Sequence, residues 1–395
     1  MQRLFFFNVL LKHNNYMKKI LLLVSFLTST IFCSAQTNRI RVPTDNQLKT
    51  ALDSLVDQSV LTFFKNTSRI GISVGIIKNG KVFIYNYGST QKGKPQLPTG
   101  NTVYELASIT KTFGSALLAK AVLEKKVNLN DDIRKYLKED YPNLNYNGTP
   151  ITLLNLVNLT SGLPNWMPDK DIFGKADPDS IPYILDSVHT TYSRKDFYRD
   201  LHQVKLQVLP GSVARHCNTA AQLIGYIMED VYKSSYDNLL ESYFVNPLKM
   251  ENTSLIKRGK LPKQMAKGYD GKGRIMPVID WEDLRVAASV ASSSSDMVKY
   301  MTFQLNETNA DVKLSHQPTF GKIEEGAIAL NWKVKIANGT RSISHTGGSL
   351  GFSNYIVLYP DRKSGIVLLS NEADQGTQNE LIALSEKILK PNFID

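Results

Sequence analysis

Apolar positions along this chain change their period several times, and each change marks an element. QLKTALDSLVDQSVLTFFKN (47–66) spaces its apolar residues three and four apart, which predicts an amphipathic helix. ISVGIIKNGKVFIYNYG (72–88) gives two strand-like runs around Asn79-Gly80, a dipeptide suited to a type I′ hairpin turn. GSTQKGKPQLPTGN (88–101) is loop by composition, and a helix opened by Ser108 runs through KTFGSALLAKAVLEKK (111–126). From about 128 to 300 the pattern is mostly helical, broken by Pro/Gly/Asp-rich loops such as PNWMPDKDIFGKADPDSIP (164–182). Strand patterns return in IALNWKVKI (328–336), TRSISHTG (340–347), SNYIVLYP (353–360) and SGIVLLSN (364–371), and NELIALSEKIL (379–389) predicts a last helix.

Strands therefore lie at both ends of the chain and helices in the middle. Short turns between the late strands imply an antiparallel sheet, and the N-terminal hairpin is expected to join it. The fold class is α/β (α+β): an antiparallel sheet flanked by helices, with an inserted all-helical lobe over about 128–300. The expected organisation is a linker at 36–46 and a single domain at 47–392, without internal repeats.

Composition sharpens this picture in three places. Hydrophobic residues make up 42% and charged residues 21% of the 395, an ordinary globular balance. MKKILLLVSFLTSTIFCSAQ, from Met17, has a Lys-Lys start, an apolar stretch and a small-residue site at Cys33-Ser34-Ala35. Residues 1–35 thus read as a signal peptide cleaved after Ala35, with Met17 as the alternative start. Phe32, where a small residue is expected, disfavours Cys33 as a lipidation site. The protein is expected to be exported, periplasmic or secreted, touching a membrane only through an uncleaved leader. The formal charge is +11; the leader holds Arg3, Lys12, Lys18 and Lys19 and no acidic residue, leaving +7. That excess is scattered, which argues against a nucleic-acid partner. Cleavage would leave Cys217 as a lone cysteine, excluding an internal disulfide. HExxH, zinc spacings, GxGxxG and the P-loop motif are absent, so no metal or cofactor is expected.

The candidate chemistry starts at ELASITKTF (105–113). Residues three apart share a helix face, so Ser108 and Lys111 are expected to be neighbours. A serine hydroxyl is a weak nucleophile until a base takes its proton. Lysine is that base only if its pKa falls from about 10.4 toward 7, a change of about 4 kcal/mol that needs burial or a nearby cation. Ser-x-x-Lys also occurs at Ser89 and Ser254, in polar loop-like surroundings; only Ser108 opens a long apolar helix. Two later stretches add to it. PGSVARHCNTAAQLIGYIME places Asn218 at a helix start, and SHTGGSLGFSNYIVLYP places His345-Thr346-Gly347-Gly348 at a strand end.

Ser-x-x-Lys, then an asparagine before a helix, then [His/Lys]-Thr-Gly on a strand, is the motif order of the penicillin-recognising serine enzymes. The chain resembles the serine β-lactamase/penicillin-binding-protein-like superfamily, in its class C β-lactamase and esterase/D-peptidase branch, from about 47 to 390. ISVGIIKNGKVFIYNYG, LASITKTF, NLTSGLPNW, PGSVARHCNTA, NPLKMENTS, HTGGSLGFSN and IVLLSNEA fall in that family's order. The resemblance implies a β-lactamase/transpeptidase-like fold with its site in a groove between sheet and lobe. It implies Ser108 as acylated nucleophile and Lys111 as the proton-shuttling lysine. Asn218 would bind the substrate amide; His345, Thr346 and Gly347 form the substrate-binding strand motif. Backbone N–H groups of Ser108 and Gly348 would form the oxyanion hole. The partner is then a small-molecule or peptide substrate with an amide, ester or lactam carbonyl, such as a β-lactam or D-amino-acid peptide. Oligomeric state is left open.

The pattern departs from the family at its second motif. Relatives have Tyr-x-Asn there; this chain has His216-Cys217-Asn218, and Tyr226 falls inside the following helix. Either His216 takes the tyrosine's place as a catalytic proton carrier, or the protein is a catalytically impaired binder of peptidoglycan or another ligand. An ordinary histidine pKa of about 6.5 would put an acid limb of activity there. Leu159 stands where many relatives have histidine, and Ala288-Ser289 where they often have Gly-Gly. His-Thr-Gly in place of Lys-Thr-Gly leans toward a peptidase or esterase. Trp166 and Trp281 are candidates for the groove wall, or simply for packing.

Overall fold

The computed structural model describes residues 42–389 apart from 170, 171, 173 and 258; the expected leader and most of the linker lie outside the described residues. Helix α1 (Ala51–Phe63) starts at a capping box in which Thr50 and Asp53 satisfy each other's backbone N–H. Strands β1 (Gly71–Lys78) and β2 (Lys81–Gly88) follow, joined by Asn79 and Gly80 at φ +50° and +75°, as a type I′ turn requires. After β3 (Val103–Glu105) comes helix α2 (Thr110–Leu123), and later α3 (Asn218–Tyr232). The return toward the sheet contains β4 (Ser254–Leu255), the short α4 (Arg285–Ala288), β5 (Val290–Ser293) and α5 (Ser294–Leu305). Strands β6 (Ala327–Ile328), β7 (Lys333–Ala337), β8 (Thr340–Gly348), β9 (Ser353–Tyr359) and β10 (Ser364–Ser370) then lead to α6 (Thr377–Ile388).

Seven strands form one sheet in the order β2-β1-β10-β9-β8-β7-β6, antiparallel throughout. The N-terminal hairpin thus docks on the last strand through pairs such as Ile72 with Ser370. Both faces are covered. On one, α1 and α6 bury Val56, Val60, Leu381 and Leu384 against Val74, Ile76, Ile366 and Leu368. On the other, α5 lays Met297, Val298 and Met301 into a cluster with Val367 and Leu369. Two-sided burial explains why GISVGII and SGIVLLS read as continuous apolar runs instead of alternating ones.

Between the hairpin and the late strands the chain is mainly helical, with short strands added. β3, β5 and β4 form a three-stranded antiparallel sheet, and residues 145–146 pair with 149–150. Within the stretch 128–300, the last helix, α5, lies against the large sheet. Helix α2 is buried on nearly every side, from Thr110 to Ala119 and at Ala121. It is held by a close triple contact. A Cβ on Gly114 of α2 would lie 2.7 Å from Val286 Cγ1, and one on Gly225 of α3 2.1 Å from Val286 Cγ2. Missing side chains on two helices thus let Val286 of α4 wedge between them.

This contact predicts the effect of Gly225→Ala. Alanine gains up to about 1 kcal/mol of helix propensity, but overpacking a core costs roughly 1–3 kcal/mol. At 2.1 Å from a β-branched side chain the clash prevails. Urea unfolding is expected to show a net loss of about 1–2 kcal/mol, recovered in part when Val286→Ala is added. A Gly225→Ala protein as stable as wild type would contradict the packing described.

Candidate active site

Ser108 sits one step ahead of the predicted helix, on a single 3₁₀ turn (Ala107–Ile109) that runs into α2. Ala107 takes φ +49°, a left-handed conformation uncommon outside glycine, so the turn is locally strained. Two bonds to β5 hold it. Leu106 N donates to Val290 O (2.8 Å), and Val290 N donates to Thr110 Oγ1 (3.1 Å). The half-buried Ser108 is thereby fixed above a helix whose own first turn is fully buried.

Lys111 Nζ donates to three oxygens from three parts of the chain: Ser108 Oγ (2.9 Å), Asn218 Oδ1 (2.8 Å) and Ala287 O (2.9 Å). The side chain is 1% exposed. Burial pushes its pKa down to about 7, because an ammonium stripped of water is disfavoured against the neutral amine. The other two Ser-x-x-Lys stretches build nothing comparable. Ser89 Oγ donates to backbone carbonyls of its own loop, and Lys257 pairs with Asp237.

The second motif arrives at the start of α3. Asn218 is buried and spends Oδ1 on Lys111. Cys217 caps the helix through Sγ, which accepts from Ala220 N (3.3 Å); burial raises its pKa to about 11, so it stays a thiol. His216 is exposed at the rim, and its Nδ1 lies 2.9 Å from Asn165 Oδ1. Desolvation of the ring among protein groups, with Lys111 and His345 nearby, holds its pKa below the usual histidine value. The acid limb expected at about 6.5 therefore does not belong to His216. Tyr226 lies more than two turns along α3, about 12 Å from Asn218. It lines a polar cavity of about 130 Å3 with Arg194, Glu229 and Tyr236.

The third motif is the end of β8. A Cβ on Gly347 would lie 2.3 Å from Leu106 O, so only glycine lets this strand run against the Ser108 turn. Strand alternation puts His345 on the face of Gly347, toward that turn, and Thr346 on the opposite face with its register partner Tyr355. His345 Nδ1 donates to Thr346 O (2.6 Å). Desolvation and the Lys111 charge push its pKa down to about 4, so it is a neutral imidazole at neutral pH. β7 pairs with β8 only as far as Lys333 with Ser344. Beyond it, residues 345–348 have β9 on one side and, among the described residues, no strand on the other.

Ser108, Lys111 and Asn218 are thus joined by direct bonds, and the His345–Gly348 strand end runs alongside. Two participants were missed from sequence. The Ala287 carbonyl carries no side-chain signal, and Asn165 stood unremarked in NLTSGLPNW. Glu105, three residues before Ser108, is also buried; its Oε1 accepts from Ile279 N (2.7 Å), and burial raises its pKa to about 7. Trp281 is buried and donates Nε1 to Asp186, while Trp166 is half-buried with its ring 5.5 Å from that of His189. Among the described residues, no group of three His, Cys, Asp or Glu side chains is placed to hold a metal, and no helix is long and apolar enough to cross a membrane.

Comparison with known proteins agrees with this architecture. Protein flp of Staphylococcus aureus strain MRSA252 is 30% identical over 315 residues, 76% of this chain; the chain spans 59% of that protein's length. The D-alanyl-D-alanine-carboxypeptidase/endopeptidase AmpH of Escherichia coli K12 is 25% identical, covering 86% of this chain and 89% of the relative. Among solved structures, a class C β-lactamase superposes with a TM-score of 0.73 at 23% identity, over 86% of this chain and 96% of the other. A β-lactamase/D-alanine carboxypeptidase from Yersinia pestis superposes at 0.70 and 22% identity, over 86% and 99%. The beta-lactamase family model matches residues 52–386, and with this fold the chain belongs to that family, within the serine β-lactamase/transpeptidase superfamily of hydrolases.

Proposed function

We propose that this is an exported serine hydrolase that works through an acyl-enzyme on Ser108. The observation that carries the reading is the buried Lys111 amine 2.9 Å from Ser108 Oγ, with its pKa brought near neutrality. Neutral Lys111, with His216 as a second proton carrier, takes the Ser108 proton while Oγ attacks the substrate carbonyl carbon. The resulting oxyanion lies toward the backbone N–H groups of Ser108 and Gly348, an arrangement worth about 10² to 10³ in rate per donor. The shuttled proton passes to the leaving nitrogen or oxygen as its bond to carbon breaks. Water then hydrolyses the ester on Ser108.

The substrate side follows from what is left unpaired. Asn218 spends Oδ1 on Lys111, which leaves its Nδ2 to donate to a substrate carbonyl. The open edge at 345–348, with His345 and Gly347 on the groove face and the Thr346 side chain turned to the other face, suits an extended peptide-like backbone. Amide, ester and lactam carbonyls all fit this scheme. β-Lactams and D-amino-acid peptides are the first candidates, because the named relatives include β-lactamases and D-alanyl-D-alanine carboxypeptidases.

Labelling tests the nucleophile. A fluorophosphonate or fluorescent penicillin is expected to add to Ser108 and to fail with Ser108→Ala, as read by intact-protein and peptide mass spectrometry. An adduct mapped to Ser89 or Ser254 would refute the assignment. Turnover is expected to drop at least about 10³-fold in Ser108→Ala, since nucleophile and base act as a unit.

Lys111 sets the pH dependence. Only the neutral amine accepts a proton, and its folded pKa is lowered to about 7, so acylation is expected to rise as pH increases through about 7. Lys111→Arg should fail almost as badly as Lys111→Ala, because a guanidinium stays protonated. An active arginine variant would mean that Lys111 supplies only positive charge.

His216 is tested against that limb. His216→Gln is expected to lose most of the rate yet keep the limb near 7, while His216→Tyr regains part of the activity. A His216→Gln enzyme at full rate would make the histidine a bystander. Failure of wild type to acylate or turn over any ester, amide or lactam would favour the binding-protein alternative.

A further inference from the structure

We infer that Asn165 is the positioning residue of this site: it holds His216 in the tautomer that leaves Nε2 bare, and it ties that imidazole to the helix end carrying Asn218. The inference rests on the reading of His216 as a proton carrier. Asn165 Oδ1 lies 2.9 Å from His216 Nδ1 and 3.1 Å from Asn218 N. The second contact fixes the amide's orientation. A backbone N–H can only donate, so the atom facing it must be the carbonyl oxygen and not the NH2. That oxygen can only accept, so the proton of neutral His216 must sit on Nδ1. Nε2 is then the one ring nitrogen with a free lone pair.

The loop that carries Asn165 is pinned from several sides. Its own backbone carbonyl shares the Asn218 N–H with Oδ1 in a three-centre bond (3.1 Å to each) and also accepts from Thr219 N (3.3 Å), two first-turn donors of α3. Next to it, the Cys217 thiol donates to Pro164 O (3.3 Å). On the other side, the Trp166 ring lies 5.5 Å from His189, which stacks on Trp281 at 4.7 Å and is bonded through Nδ1 to Asp283 (2.7 Å). His216 itself projects to an exposed rim, and Asn165 is the only hydrogen-bond partner its ring has among the described residues. Without that bond the ring is free to rotate and to take the other tautomer, whose Nε2 carries the proton and cannot act as base. A simple helix-capping role for Asn165 would explain the bond to Asn218 N but not the bond to His216.

The experiment uses the full protein with 15N-labelled histidine, the ring resonances of His216 being assigned by comparison with His216→Gln. In wild type at neutral pH, Nδ1 is expected to be protonated and Nε2 bare. Asn165→Ala is expected to move His216 toward the Nε2–H tautomer and to lower kcat on a neutral ester roughly tenfold or more, with a smaller change in KM. Asn165→Asp keeps the acceptor and adds a negative charge, so it should preserve the tautomer and raise the His216 pKa seen in the same titration. Should the alanine variant fail to fold, Asn165→Ser decides the matter, because it keeps a short side-chain acceptor for Asn218 N but does not reach His216 Nδ1: a proton that stays on Nδ1 there would overturn the inference. A bare Nδ1 in wild type, or a tautomer unmoved by Asn165→Ala, overturns the inference. A tautomer that moves while the ester rate stays constant upholds the positioning by Asn165 and refutes His216 as proton carrier.

Discussion

One buried amine organises this site. Lys111 is almost without solvent, and its three oxygen partners come from the Ser108 turn, from the start of α3 and from α4. A pKa brought from 10.5 to about 7 corresponds to about 5 kcal/mol between the two protonation states. The acceptors recover part of the lost hydration; they do not recover all of it, which is why neutrality comes within reach. Each partner must therefore be held at hydrogen-bond distance by packing elsewhere. Val286, wedged against Gly114 and Gly225, delivers the Ala287 carbonyl; the bonds between Leu106, Thr110 and Val290 deliver Ser108. The helix that carries the lysine is buried on nearly every side around it, and a half-exposed helix there would leave the ammonium hydrated.

The same logic extends to the sheet. Its seven strands are enclosed by helices on both faces, and this layer ends at the site in one glycine-lined strand tip. Gly347 admits the backbone of β8 to within a missing methyl of Leu106 O, so sheet and Ser108 turn meet as backbone against backbone. The loss of β7 pairing after Ser344 leaves that tip, among the described residues, without a strand on one edge. Two-sided enclosure and an open strand edge thus meet where the proposed substrate would lie.

Much of this was legible in the residues. Asn79-Gly80 marked the hairpin, the apolar runs marked the two-sided sheet, and Ser108 stood out from Ser89 and Ser254 because only it opens an apolar helix. What escaped was of three kinds. β3, β4 and β5 hold only two to four residues, too few for a period to register. The Ala287 carbonyl is backbone, and backbone acceptors have no signature in side-chain patterns. The titration of His216 depends on the groups around it, so an ordinary value of 6.5 placed its charge change too high. Asn165 belongs with the last kind: an asparagine in a Gly-Pro loop reads as a turn residue until the chain brings it against His216 and Asn218.

The histidine at 216 also alters how charge is carried in the proposed scheme. A tyrosine at that position is a base only as a phenolate, and a phenolate there needs a protonated lysine beside it. That pair is neutral overall but holds two opposite charges. A neutral imidazole needs no such partner: its lone pair is available while Lys111 is also neutral, and both groups have lowered pKa values. The two arrangements share a net charge of zero before substrate enters and differ in where the protons sit. Beside a phenolate, a protonated lysine would stabilise the base. Here a protonated Lys111 would only depress the basicity of His216 further, so the two groups work together best when both are deprotonated. His345, neutral and on the same face, adds no charge to disturb that balance. In the proposed scheme, histidine in place of tyrosine would thus exchange an ion pair for two neutral bases, one at the exposed rim and one buried, so that no charge has to be desolvated at Lys111.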